Sequence, residues 1–261
     1  MPLVHREALP VHEPVGNVLC IHGYPESSYM WRHVLEAAAA AGWQAVAPDL
    51  PGYGDSPYDG SGSWRAHIDA LDAFHREQEL DGVVLVVHDW GGLIGLRWAC
   101  EHPDVIRGLV ISDTGFFPDG RWHGMAQALR TPGQGEELLA ALDRDGFGAM
   151  LRSVAPTMDD RSIDEYFKAY SSDERRRGQL ELYRSGEFSE LEGYDLAALD
   201  VPALILWGAH DAFAPVAGAH RFARELRDAE LVVFDDAGHF LFDEQPDRAA
   251  AEVARFLERL A

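Results

Sequence analysis

The chain has 261 residues, which is enough for one large α/β domain with a full core, or for a core domain that carries one insertion. Its formal net charge of −22 argues against nucleic acids and anionic membranes as partners, because both would repel such a surface. No uninterrupted apolar stretch reaches the roughly 18 residues of a membrane span, so we expect no membrane partner.

The N-terminal segment has no basic patch followed by an apolar block, so we expect no secretory signal and a cytoplasmic protein. The two cysteines, Cys20 and Cys100, have neither metal-binding nor redox spacing and are predicted to be buried thiols. The histidines include no His-Glu-x-x-His helix and no paired ladder. We therefore expect neither a metal nor a cofactor.

Six short apolar runs alternate with helical patterns, which predicts a mostly parallel sheet covered by helices on both faces. The predicted strands are residues 17–21, 44–47, 83–87, 109–112, 203–207 and 231–234. The clearest predicted helices are residues 31–41, ending at Gly42, residues 64–79 behind the cap Ser63, and residues 248–260 behind the cap Asp247.

Between residues 116 and 199 the strand pattern stops and helical segments follow one another. They are predicted at residues 125–129, 136–142, 163–170 and 175–183. We interpret residues 116–199 as a helical cap, inserted after the strand that ends near Asp113. Residues 1–115 and 200–261 then form the α/β core domain.

Polar residues follow four of the predicted strands directly. They are HGYP at 22–25, HDWGG at 88–92, GAHD at 208–211 and DDAGH at 235–239. Because the carboxyl ends of parallel strands meet at one edge of the sheet, we expect the functional site there.

The HDWGG corner has the form of a nucleophile elbow, in which a strained turn between a strand and a helix exposes one side chain. Asp89 stands where that pattern usually has serine. Asp89 alone could equally be a helix cap. With Asp211 and His239 at later strand ends, the chain has the order nucleophile, acid, histidine, which favours a catalytic triad.

The sequence resembles the α/β-hydrolase superfamily over nearly its whole length, and within it the aspartate-nucleophile branch of epoxide hydrolases and haloalkane dehalogenases. The resemblance lies in HGYPESSYMWR at 22–32, APDLPGYGDS at 47–56, VHDWGG at 87–92 and the two later corners. It implies that Asp89 attacks a saturated carbon and that His239, oriented by Asp211, activates water to hydrolyse the ester.

Other features of the resemblance concern the surroundings of this triad. By position, the backbone N–H groups of Tyr24 and Trp90 would stabilise the oxyanion. The resemblance also implies a cis bond before Pro25. Only 21 residues precede His22, so the first strands of the sheet are expected to be short or partly missing.

Asp113 competes with Asp211 for the acid role, since some dehalogenases take their acid from the corner after the fourth predicted strand. We favour Asp211 because WGAHDAFAP has the spacing of the family. Asp235 and Asp236 lie too near His239 in sequence to reach its far nitrogen and are interpreted as turn residues.

The leaving group is either an epoxide oxygen or a halide. Tyr183 before Arg184 resembles the cap segment that carries a ring-opening tyrosine, and Tyr24 replaces the halide-binding asparagine of many dehalogenases. Trp122 supports the halide instead, as a second indole donor. Trp90 fits both, so the prediction is an epoxide hydrolase, with a haloalkane dehalogenase as the alternative.

Several aromatic and sulfur-containing side chains are predicted to line an apolar pocket for a small neutral hydrophobic substrate. They are Phe116, Phe117, Trp122, Met125, Met150, Phe213 and Phe240. Tyr166 and Tyr170 share one helix face and are interpreted as packing residues. The elbow has no serine or cysteine, which argues against a serine-type esterase. The chain is expected to be a monomer or a homodimer.

Overall fold

A computed structural model describes residues 2–58 and 60–261, and seven strands in this part of the chain form one sheet. The strands are β1 His5–Ala8, β2 Asn17–Ile21, β3 Gln44–Pro48, β4 Val83–His88, β5 Ile106–Ser112, β6 Ala203–Gly208 and β7 Ala229–Phe234. Their order in the sheet is β1-β3-β2-β4-β5-β6-β7. The pairing of β1 with β3 is antiparallel and the other pairings are parallel, so the predicted architecture is confirmed.

Helices flank this sheet and also form the segment inserted between β5 and β6. They are α1 Arg32–Ala40, α2 Trp64–Glu77, α3 Trp90–Glu101, α4 Gly124–Arg130, α5 Gln134–Ala140, α6 Arg144–Val154, α7 Asp160–Phe167, α8 Asp173–Arg184, α9 Ala217–Glu225, α10 Leu241–Glu244 and α11 Pro246–Glu258. Helix α1 packs against α11, and α2 packs against α3. Strands β4 and β6 are buried at every position, because helices lie over both of their faces.

The N-terminal edge strand β1 is short, as expected, and the sequence pattern did not reveal it. Its four residues are half-buried or exposed, so they carry no continuous apolar signal. The predicted cap at Asp247 is wrong. Helix α11 begins at Pro246, two residues earlier than predicted, because a proline at the first helical position gives up only an N–H that has no helical partner.

Helix α6 was also missed in the sequence. Gly146 and Gly148 weaken its helical pattern, although Phe147 and Leu151 lie one turn apart and are both buried. Asp143 caps the helix by accepting a hydrogen bond of 2.8 Å from the Gly146 N–H. The cap predicted at Ser63 is confirmed, since its side chain accepts from the Ala66 N–H.

Residues 116–199, called the cap segment below, contain only helices and turns among the described residues. Arg175 fastens this segment to the core by donating to the carbonyl oxygens of Gly52, Gly54 and Ser56, at 3.1, 2.9 and 2.8 Å. Its status as a separate cap domain stays a prediction.

The two predicted buried thiols differ in burial. Cys20 is fully buried in β2, whereas Cys100 is only half-buried and packs against the core from α3. The prediction is therefore wrong for Cys100, since the last turn of α3 lies at the edge of the core. No helix in residues 2–58 and 60–261 combines the length and the apolar character that crossing a membrane requires.

Candidate active site

Asp89 occupies a strained turn between β4 and α3, with φ 47° and ψ −121°. A positive φ is unfavourable for an L-residue other than glycine unless the surrounding structure enforces it. Two glycines provide the enforcement, because a Cβ at Gly91 would lie 2.2 Å from the Ile21 carbonyl oxygen and one at Gly92 would lie 2.2 Å from Thr114 Oγ1. The close approach of strand and helix therefore fixes the turn.

The carboxylate of Asp89 faces the histidine corner and makes no capping hydrogen bond to α3, which contradicts its interpretation as a simple cap. Oδ1 accepts a hydrogen bond of 2.8 Å from the Tyr24 N–H, and Oδ2 lies 3.5 Å from His239 Nε2. Burial alone would raise the pKa of Asp89, but the hydrogen bond and charge of His239 outweigh it and lower the pKa to about 2. Asp89 is therefore an ionised carboxylate at neutral pH.

The backbone N–H groups of Tyr24 and Trp90 were predicted to form an oxyanion hole. The Tyr24 N–H donates to Asp89 Oδ1, and the bond between Tyr24 and Pro25 is cis, as the resemblance implied. Trp90 is the first residue of α3, so its N–H is one of the four that have no acceptor within the helix. The role of both groups in catalysis stays a prediction.

His239 lies between two carboxylates. Its Nδ1 is 2.8 Å from Asp211 Oδ2, and Asp211 Oδ1 accepts hydrogen bonds of 2.7 and 2.9 Å from the N–H groups of Phe213 and Ala214. Burial lowers the pKa of His239, but Asp211 and then Asp89 outweigh it, so the pKa lies well above the usual value. The structure thus brings together the three residues predicted from the strand ends, with the histidine as an imidazolium.

The carboxyl group of Asp113, the alternative acid, does not contact His239. This carboxyl accepts hydrogen bonds from the Gly208 N–H at 3.0 Å and from the Ser112 hydroxyl at 2.5 Å, and so joins β5 to β6. Burial and then the neighbouring charge of Asp211 raise the pKa of Asp113 well above its usual range. Asp113 is therefore a neutral acid that links two strands, and Asp211 is the acid that contacts His239.

A second buried pair lies behind the triad and was given no role in the sequence. His88 Nε2 is 3.4 Å from Glu26 Oε2, and the His88 ring lies 4.8 Å from the His239 ring. Burial raises the pKa of Glu26 and lowers that of His88 to about 3, so the pair is neutral. It therefore adds no third charge beside His239. The only sequence signal was the position of His88 directly before the nucleophile.

Aromatic rings form one wall around Asp89. Trp90 meets Tyr183 edge to face, with ring centroids 5.1 Å apart, and stacks on Trp122 at 5.4 Å. The Trp122 indole N–H donates to Glu187 at 3.3 Å, so a protein oxygen already occupies this indole donor.

The other cap tyrosines are buried by packing and hydrogen bonds. Tyr166 donates to Asp243 at 2.5 Å, and Tyr170 donates to the Tyr24 hydroxyl at 2.8 Å. Tyr24 in turn meets Tyr183 edge to face at 5.0 Å. Tyr183 and Tyr24, not Tyr166 or Tyr170, are thus the phenols next to the nucleophile.

Two adjoining cavities of about 340 and 70 Å³ meet at four shared residues: Asp89, His123, Tyr183 and Phe213. Of the predicted lining residues, Phe117 and Trp122 line the larger cavity, and Met125, Met150 and Phe240 line the smaller one. Phe116 lines neither, because its ring packs towards Tyr194 instead. His123 was not predicted as a lining residue.

An aspartate, a second acid and a histidine at three strand ends, in this chain order, are the arrangement of an enzyme of the α/β-hydrolase type. The chain belongs to the α/β hydrolase fold family, whose sequence model matches residues 16–246. It is 28% identical to a haloalkane dehalogenase of Mesorhizobium japonicum, over 92% of this chain and 84% of the relative. It is 29% identical to epoxide hydrolase 3 of Siraitia grosvenorii, over 93% and 92%.

Among solved structures, a haloalkane dehalogenase from Bradyrhizobium elkani superposes with a TM-score of 0.82 at 26% identity, over 98% of this chain and 94% of that one. The chain is thus a hydrolase of the branch that the sequence motifs indicated. The relatives include both haloalkane dehalogenases and an epoxide hydrolase, so the comparisons do not identify the leaving group.

Proposed function

We propose that the protein hydrolyses epoxides to vicinal diols. The observation that carries this proposal is the position of Tyr183, a buried phenol that lines both cavities together with Asp89. Burial and then the charge of Asp89 raise the pKa of Tyr183 well above its usual value, so the phenol keeps its proton. An epoxide oxygen needs such a proton as it leaves.

In the first step, a carboxylate oxygen of Asp89 forms a bond to one ring carbon, and the bond from that carbon to the epoxide oxygen breaks. The departing oxygen takes its electron pair and the proton of Tyr183. The product of this step is a hydroxyalkyl ester of Asp89.

The ester changes the charge around His239. One of the two carboxylates that raise the pKa of His239 has become neutral, so the pKa falls and the imidazolium releases a proton, which restores the Tyr183 phenol. The free ring takes a proton from water, and the resulting hydroxide adds to the ester carbonyl. Collapse of this adduct expels the alkoxide, which takes the proton of the new Asp89 carboxylic acid, so the diol leaves and Asp89 and the imidazolium are restored.

Haloalkane dehalogenation is the second candidate, and the stack of Trp90 on Trp122 favours it. A departing halide needs N–H donors but no proton. Here the Trp122 N–H donates to Glu187. A halide would have to displace this contact to use Trp122 as its second donor, which makes dehalogenation the weaker of the two candidates.

The variant Tyr183→Phe separates the two reactions. We expect diol formation from styrene oxide to fall by about 10² to 10⁴-fold, the usual contribution of a general acid. Release of bromide from a 1-bromoalkane, if it occurs, should be unaffected because a halide needs no proton. Diol is measured by chromatography and bromide by ion analysis.

Tyr194→Phe is the matched control, since Tyr194 is a cap-segment tyrosine that lines neither of these two cavities. It should retain diol formation. Bromide release by the wild-type enzyme without any diol formation would overturn the proposal. So would an unchanged rate of diol formation in Tyr183→Phe.

The two steps should respond differently to acid. Alkylation needs ionised Asp89, whose pKa of about 2 keeps it available at low pH. Hydrolysis needs neutral His239, so its rate falls as the pH drops below the pKa of the histidine in the ester intermediate. We expect kcat to fall on acidification while the ester of Asp89 accumulates, as rapid-quench mass spectrometry would detect. A fall in kcat without accumulated ester would contradict this sequence of steps.

A further inference from the structure

We propose that the substrate is an epoxide with two arms of unequal size, one on each ring carbon, an inference that rests on the proposed function. The two cavities meet at Asp89 and Tyr183, where the ring must lie to be attacked and protonated. The chamber of about 70 Å³ has roughly one fifth of the volume of the chamber of about 340 Å³, so the two arms that they hold differ in size.

The smaller chamber fits a short alkyl arm. Its cap-segment wall contains Met125, Met150 and Val154, and Phe240 closes it from the core. The hydroxyl of Ser153 also lies in this wall, but it donates to the Met150 carbonyl oxygen at 2.6 Å and is thereby satisfied. Apart from the catalytic groups and His123, the walls of this chamber offer few hydrogen-bonding groups to a polar substituent.

The larger chamber fits an aromatic or branched apolar arm. Its walls include the rings of Phe117, Trp122 and Phe188, and two arginines also line it, the exposed Arg121 and the half-buried Arg221. The charge of Arg221 is neutralised by salt bridges of 2.6 Å to Asp119 and 2.7 Å to Glu225. This arginine is therefore not a free site for an anionic substrate group.

A matched series of phenyl-substituted epoxides tests the inference: styrene oxide, trans-1-phenylpropylene oxide and trans-stilbene oxide, whose second ring carbon carries only hydrogen, a methyl group or a phenyl group. We expect kcat/KM to be about tenfold or more higher for the methyl compound than for styrene oxide, as for one methyl group in a fitted pocket. Stilbene oxide should be at least about tenfold poorer than the methyl compound, because its second ring exceeds the smaller chamber.

Met150→Ala enlarges the smaller chamber and should raise kcat/KM for stilbene oxide while reducing the preference for the methyl arm. Met158→Ala is the matched control, because Met158 is a buried cap-segment methionine that lines neither chamber. That variant should keep the wild-type order of substrates even if its melting temperature falls.

Equal kcat/KM for the three epoxides, or an unchanged order in Met150→Ala, would overturn the inference. If no epoxide gives a diol and bromoalkanes release bromide, the proposed function fails separately. The prediction of two unequal chambers is then tested by bromide release from secondary bromides whose second arm is a methyl or a phenyl group. Preference for the methyl arm would support two unequal chambers, and indifference would overturn them.

Discussion

Replacing His239 by glutamine will stop turnover and leave the substrate attached to Asp89 as an ester. The nucleophile does not need a base, because Asp89 is ionised at neutral pH and keeps the hydrogen bond from the Tyr24 N–H. Glutamine cannot take a proton from water, so the ester is not hydrolysed. We expect a loss of turnover of about 10⁴-fold or more, as for removal of a triad histidine elsewhere.

The measurement is the intact mass after addition of substrate, which should increase by the mass of one epoxide. Peptide mapping should place this increase on the segment that contains Asp89. His220→Gln is a matched control, since His220 is an exposed histidine of α9 and its loss should leave turnover intact. Free diol released in a single turnover by His239→Gln would refute the assignment of the base.

Asp211→Asn should reduce kcat by about 10⁴-fold, the effect of the same change in a comparable triad. Asp211 contacts His239 Nδ1 at 2.8 Å, and its charge holds the pKa of the histidine high. An amide in its place turns an N–H towards Nδ1 or loses the hydrogen bond. It also removes the charge that stabilises the imidazolium formed during hydrolysis.

Asp113→Asn is the matched comparison, because Asp113 is a buried acid beside Asp211 that does not contact His239. A neutral amide can replace its neutral carboxyl and still accept the hydrogen bond from the Gly208 N–H. We expect this variant to retain most activity, with thermal unfolding showing that both variants fold. The opposite result, a loss in Asp113→Asn alone, would move the acid role to Asp113.

The sheet and the triad could be predicted because both follow from local patterns. Apolar runs separated by helices are typical of a parallel sheet, and the ends of parallel strands converge, so Asp89, Asp211 and His239 were expected to meet. The contact between Asp211 and His239 then required no knowledge of packing, only of which residue follows which strand.

What could not be predicted depends on contacts between distant segments. Trp122 was expected to be available to a halide, but Glu187 accepts its indole N–H from another part of the cap segment. The neutral pair of Glu26 and His88 likewise forms because the fold brings the segment after β2 next to the end of β4. The division of the cavity into two unequal chambers depends on how helices pack, which the spacing of residues along the chain does not encode.

The turn at Asp89 has a consequence for the evolution of this scaffold. Its geometry is set by the backbone and by Gly91 and Gly92, which leave no space for a Cβ, and not by the identity of the nucleophile. A serine at position 89 would occupy the same turn, facing the same Tyr24 N–H and the same histidine. The choice between acyl transfer and attack on saturated carbon is therefore encoded in one side chain, so a lineage can exchange one chemistry for the other while inheriting the fold unchanged.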